Sequence, residues 1–160
     1  MQRVLFIAAL LIAVVVGGRA LRYALASDET KIGWMFADEV EAFASASLLR
    51  VTPHFAADFR DSTAGIDQQT LRAAVVWVWQ NRRNADGRFA WHVEMPGGIA
   101  TLSIDGDKAT ATFPLELHKG DDDRKQLLWR LDVTAQLERR DGDWTIVQST
   151  HETVAGGRPR

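Results

Sequence analysis

The residues best placed to do chemistry lie in two stretches of the chain. Toward the C-terminus, Trp144, Ile146, Gln148, Thr150 and Glu152 recur at every second position. That spacing puts all five on one face of a β-strand. With the face turned inward, Glu152 stands among apolar groups, where desolvation favours the neutral acid and a carboxyl can act as base or as hydrogen-bond donor. Gln148 and the more distant Asp61 are the groups available to oppose it. With the face turned outward, the three polar side chains simply meet water. The second stretch is Arg60-Asp61, directly after Phe59, which reads as a loop ion pair or cap that can also supply an acid. Trp91 and Trp129 fall on apolar faces, where they serve as core or as aromatic walls for a small apolar ligand.

Other chemistries lack their residues. There is no cysteine, which removes disulfides, thiol catalysis and thiolate metal sites. The four histidines, His54, His92, His118 and His151, never fall two or four residues apart, so the usual zinc spacing along one element is missing. No G-x-S-x-G elbow occurs. Asp121-Asp122-Asp123 lacks the glycine and distal glutamate of a calcium loop and reads as a solvated hairpin tip. Neither a metal nor a cofactor is expected. The formal net charge is −2, and basic residues are scattered in pairs such as Arg82-Arg83. That pattern argues against a nucleic-acid partner.

A frame must hold these groups, and 160 residues with 46% hydrophobic and 25% charged composition supply one ordinary globular domain. Ser27 caps a helix whose first turn carries Asp28 and Glu29, and Phe36, Val40 and Phe43 keep helical spacing to about Arg50. Thr52-Pro53 ends it, and Pro53 is preorganised to start a short second helix through Phe59. Asp61 to Gly65 is a loop by composition. Asp67 caps a further helix with Leu71, Val75, Val78 and Trp79 on its apolar face, stopped near Asn84 to Gly87. From Phe89 onward the pattern alternates with period two, with tight turns at Asp105-Gly106 and Asp141-Gly142. The expectation is an α+β domain, with two to three helices on a curved antiparallel sheet of about five strands. It spans residues 27–154 and is followed by a loose tail, 155–160.

The first 26 residues are different. Val4 to Gly18 are uncharged and nearly all apolar, with Arg3 before them, the form of an export signal. Through residues 4–26 the run reaches spanning length if Arg19 and Arg22 snorkel. Ala24-Leu25-Ala26 resembles a cleavage site, so a signal anchor and a cleaved signal both fit. Either places the domain outside the cytoplasm, held at the membrane or released to the periplasm.

Two stretches carry a resemblance to a known superfamily. HFAADFRDSTAGIDQQTLRAAV, residues 54–75, sets an aromatic-Arg-Asp loop and a glycine before a capped helix. WRLDVTAQLERRDGDWTIVQSTHETV, residues 129–154, joins two long strands at Asp-Gly. Together with the first helix they resemble the nuclear-transport-factor-2-like (SnoaL-like) superfamily over residues 28–154. The resemblance implies a cone of helices packed into a bent sheet, with a cavity between them. Its enzymes include isomerases, dehydratases, cyclases and epoxide hydrolases, and the arginine and two aspartates of the last are not reproduced around Arg60 and Asp61. Many members are not catalytic. The resemblance therefore favours a non-catalytic extracytoplasmic module for a small apolar ligand or an envelope protein partner. The alternatives are a small lyase or isomerase using Glu152 or Asp61, and a membrane-tethered envelope assembly component. It also implies a homodimer through the face away from the helices, where Arg130, Asp132, Thr134, Gln136, His92 and His151 are expected.

Overall fold

The computed structural model describes residues 22–47, 50, 52–84, 87, 89–120 and 125–157. Compactness divides the chain into two units, Met1–Ile32 and Gly33–Arg160. In the first, residues 22–25 form a helical turn, and the first helix begins beyond it. The apolar run Val4 to Gly18 and the triple aspartate lie outside the described residues, as does the end of the tail. Among the described residues no helix is long and apolar enough to cross a membrane.

Helix α1 is Asp28–Ala44. It starts as expected, with the Thr30 backbone N–H donating to Ser27 Oγ at 3.4 Å and two acids in the first turn, where the helix dipole favours negative charge. It stops six residues before Arg50, and Ala46 takes a left-handed φ of 49°. Strand β1, Phe55–Asp61, replaces the expected short helix. Phe55 and Phe59 sit at helical spacing and their rings do meet edge to face at 4.8 Å. They do so on a strand, because the register of β1 against its neighbour is irregular between Phe55 and Arg60. Ladder pairing over long range outweighs the local preference set by Pro53.

Strand β2, Ile66–Asp67, folds back on β1 and leads into helix α2, Gln68–Asn81. Asp67 caps α2 as expected, accepting the Thr70 backbone N–H at 2.8 Å. Trp79 and Ala42 form a buried cluster with Phe43, Val75 and Phe89 around them. The Trp79 indole N–H donates to the Phe43 carbonyl at 3.2 Å, so the ring is buried without losing its polar partner.

The remaining strands are β3 (Trp91–Glu94), β4 (Thr101–Asp105), β5 (Lys108–Lys119), β6 (Gln126–Arg140) and β7 (Asp143–Gly156). They build one curved seven-stranded sheet in the order β2-β1-β7-β6-β5-β3, with β4 also on β5. The α+β class is as expected. The sheet is wider and mixed, because β1 pairs parallel with β7. Strand β7 also runs past Val154, with Ala155 and Gly156 paired to Arg130 and Trp129.

The inner face of the sheet carries Ala109, Ala111, Phe113, Ala135, Leu137, Trp144 and Ile146, all buried. Phe36 of α1 packs on Phe113 with ring centroids 4.7 Å apart. One irregularity decides what else this face holds. Leu137 pairs with Ile146 but Gln136 pairs with Gln148, so Val147 is an extra residue in β7. A bulge of this kind reverses the alternation beyond it. Ser149, His151 and Thr153 therefore share the inner face with their cross-strand partners Ala135, Val133 and Leu131.

Candidate functional site

The chemical consequence of that bulge is a polar group at the open end of the inner face. Asp61 is the last residue of β1 and the cross-strand partner of Ser149. Only 6% of its surface is exposed. Its Oδ1 accepts the Ala64 backbone N–H at 2.6 Å, closing the turn that follows. Its Oδ2 accepts Ser149 Oγ–H at 2.7 Å and contacts His151 Nδ1 at 3.2 Å. Burial works to raise the Asp61 pKa, but the hydrogen bonds from Ser149, Ala64 and His151 outweigh it and leave the carboxyl below the ordinary aspartate range. An ionised carboxylate only accepts, so Nδ1 of His151 carries the proton that joins them.

That assignment leaves Nε2 as the unprotonated nitrogen of the His151 ring, and it makes no hydrogen bond among the described residues. The side chain keeps 17% of its surface exposed. Trp129 lies beside it, edge to face at 5.9 Å, with its own indole N–H donated to Thr153 Oγ1 at 3.0 Å. Backbone and side-chain bonds lock the group in place. Ser62 N–H donates to the Ser149 carbonyl at 2.9 Å, and His151 N–H donates to Thr63 Oγ1 at 2.9 Å. A rigid carboxylate–imidazole pair with a free nitrogen can hold a hydroxyl or take a proton.

The other expected site residues are distributed differently. Gln148, Thr150 and Glu152 do not share the face of Trp144 and Ile146, because Val147 shifts them to the outer face. Gln148 donates its amide to Ser62 Oγ at 2.9 Å. Thr150 and Glu152 are exposed and line a cleft of about 540 Å³ with Thr63, Thr112, Asp132, Thr134 and His151. Glu152 thus stands in solvent and not among apolar groups. His151 leaves the expected outer set of Arg130, Asp132, Thr134, Gln136 and His92 for the same reason. Arg60 pairs not with Asp61 but with Asp67, at 3.1 Å, since neighbours on a strand point to opposite faces. Trp91 is buried on the inner face under the Arg82 guanidinium, 5.4 Å from its ring, and three strands away from β7. Ser149 and His151 were the residues missed. Their signal is the Ile146-Val147 doublet, which breaks the alternation where the bulge sits.

One further group of side chains is able to hold a metal ion among the described residues: Glu94, Glu116 and His118, on the outer face between β3 and β5. They are brought together across strands, which spacing along the chain cannot reveal.

No protein-family model and no curated protein matches the chain. Solved structures do resemble it in fold. A protein of unknown function with a cystatin-like fold from Nostoc punctiforme superimposes with a TM-score of 0.61 at 15% identity, over 79% of this chain and 90% of that one. An NTF2-like protein with a cystatin-like fold from Novosphingobium aromaticivorans gives 0.63 at 16% identity, over 86% and 89%. An NTF2-like protein of unknown function from Shewanella baltica gives 0.55 at 16%, over 81% and 95%. The chain thus has the cystatin-like, NTF2-like fold, and identities this low speak for the fold alone.

Proposed function

We propose that the domain is a non-catalytic binding module for a small molecule that pairs a hydroxyl donor with a flat apolar body. The observation that carries this reading is the double use of Asp61 Oδ2, which fixes Ser149 and His151 together. Pinning the imidazole removes rotamer freedom before any ligand arrives, and such preorganisation lowers the entropy cost of binding. The unbonded Nε2 then meets a hydroxyl, and the Trp129 ring beside it offers an apolar wall. Titration with 2-naphthol tests this. Saturable binding by the full chain, weakened about tenfold or more in His151→Leu, is expected. No saturable binding, or equal binding by both proteins, contradicts it.

A second reading rests on the same pair. An imidazole held by a buried carboxylate is also the arrangement of a general base, so a lyase or isomerase working through His151 and Asp61 is the rival. A base needs an opposing donor where charge develops, and Thr153 Oγ1, which accepts from Trp129 and keeps its own proton to donate, is the hydroxyl nearby. Exchange of the α-protons of 2-tetralone in deuterated water separates the readings: binding predicts no acceleration by the protein, and catalysis predicts acceleration lost in His151→Leu.

We infer further that residues 4–26 hold the domain at a membrane with residues 27–157 outside the cytoplasm, on the strength of the apolar run and its flanking arginines. Release of the full chain by detergent alone is expected, and recovery in the soluble cytoplasmic fraction contradicts it. Self-pairing through Arg130, Asp132, Thr134, Gln136 and His92 on the outer face belongs to the same proposal.

A further inference from the structure

We propose that His118, Glu116 and Glu94 form a binding site for one divalent transition-metal ion of the zinc type. Two mirrored tripeptides build it, His92-Val93-Glu94 on β3 and Glu116-Leu117-His118 on β5. Antiparallel register sets His92 opposite His118 and Glu94 opposite Glu116, and period two turns all four to one face. His118 Nε2 stands 3.0 Å from Glu116 Oε2 and 3.9 Å from Glu94 Oε2. Ligand atoms at bonding distance around a tetrahedral zinc ion lie about 3.3 Å from one another; these two separations bracket that edge, and all three ligand atoms lie within 4.8 Å of one another.

The second oxygens of both carboxylates are held from outside. Glu94 Oε1 accepts from Lys125 Nζ at 2.6 Å, and Glu116 Oε1 faces Arg130 Nε at 3.6 Å. Lys125 thereby orients the Glu94 carboxylate as outer partners do for metal ligands, while Arg130 acts on Glu116 through its charge, without a hydrogen bond from Nε. His118 and Glu116 are largely buried, with side chains 13% and 17% exposed. Nδ1 of His118 is buried with no partner, and both contacts of the ring with the carboxylates are made by Nε2. One imidazole with carboxylate oxygens suits zinc and its neighbours better than soft or alkaline-earth ions. These three side chains leave the fourth position of the ion to water.

The test uses the untagged full-length chain stripped with a chelator and titrated calorimetrically with zinc, then with cobalt(II) followed by its visible absorption. Expected are one ion per chain, a four-coordinate cobalt spectrum, and affinity at least about tenfold weaker in His118→Ala and in Glu116→Gln. No binding by the wild-type chain overturns the proposal, as does binding that both substitutions leave unchanged. Should either variant lose its cooperative melt, the wild-type cobalt complex decides alone. Paramagnetic shifts of the His118 ring protons support the site, and shifts confined to His54 or His151 overturn it.

Discussion

Asp61 and His151 are 90 residues apart in the chain, yet Oδ2 of one lies 3.2 Å from Nδ1 of the other. Two features make the meeting possible. The parallel pairing of β1 on β7 puts Asp61 opposite Ser149, and the extra Val147 turns Ser149 and His151 to the inner face. Neither alone suffices: without the bulge, Gln148 and Thr150 would face Asp61, and no imidazole would reach it.

Asp61→Asn should cost about 2–3 kcal/mol of stability near neutral pH, because three donors lose a charged acceptor in a buried place. The sign of its pH dependence follows from the lowered pKa. A depressed carboxyl stabilises the fold above its unfolded value and loses that contribution as pH falls through the folded one. The stability gap between wild type and variant, read from urea unfolding, should therefore close as the pH drops below 3.8. A gap that is constant with pH would show that the charge of Asp61 is not what the fold uses.

Glu39 behaves in the opposite sense. Burial, only partly offset by hydrogen bonds from the Thr52 and His54 backbone, pushes its carboxyl up to about 7 from 4.5. A raised carboxyl contributes stability that is complete below 4.5 and disappears as pH rises to about 7. The wild-type chain should lose up to about 3 kcal/mol over that window relative to Glu39→Gln. Parallel pH–stability curves for the two proteins would rule out this role for Glu39.

Gly156 adopts a φ of +69°, and a Cβ there would collide with the Leu128 carbonyl oxygen across the sheet. Gly156→Ala should destabilise by about 1–3 kcal/mol, measured as a lowered urea midpoint. An unchanged midpoint would mean that the β6–β7 end can open at little cost.

Glu152→Gln should change stability by less than about 0.5 kcal/mol, as expected of an exposed side chain, and should leave 2-naphthol affinity unaltered. Loss of affinity comparable to that in His151→Leu would move the ligand toward Thr150 and Glu152 in the cleft that His151 also lines.

The fold was largely legible because its signals are local. Asp67 caps its helix, Asp-Gly turns close two hairpins, and period-two runs become β5, β6 and β7. The site was only half legible. Asp61 and Trp129 stand out by type, but alternation from Trp144 gives the face of each later residue only while the strand stays regular, and the added Val147 reverses it. The β1 strand hid behind Pro53 and a helix-spaced pair of phenylalanines, since parallel pairing with the far end of the chain leaves no mark on seven residues read alone. The His118 cluster, assembled across β3 and β5, was invisible for the same reason.

In the proposed function Asp61 holds His151 so that Nε2 receives a ligand hydroxyl. The most direct measurement is a ¹H–¹⁵N correlation spectrum of the histidine rings at pH 8.5, recorded on the ¹⁵N-histidine-labelled chain during titration with 2-naphthol. His151 is expected to carry its proton on Nδ1, and its Nε2 resonance to move saturably with the probe. A His151 ring protonated on Nε2, or an Nε2 resonance that stays fixed while 2-naphthol binds, would contradict it.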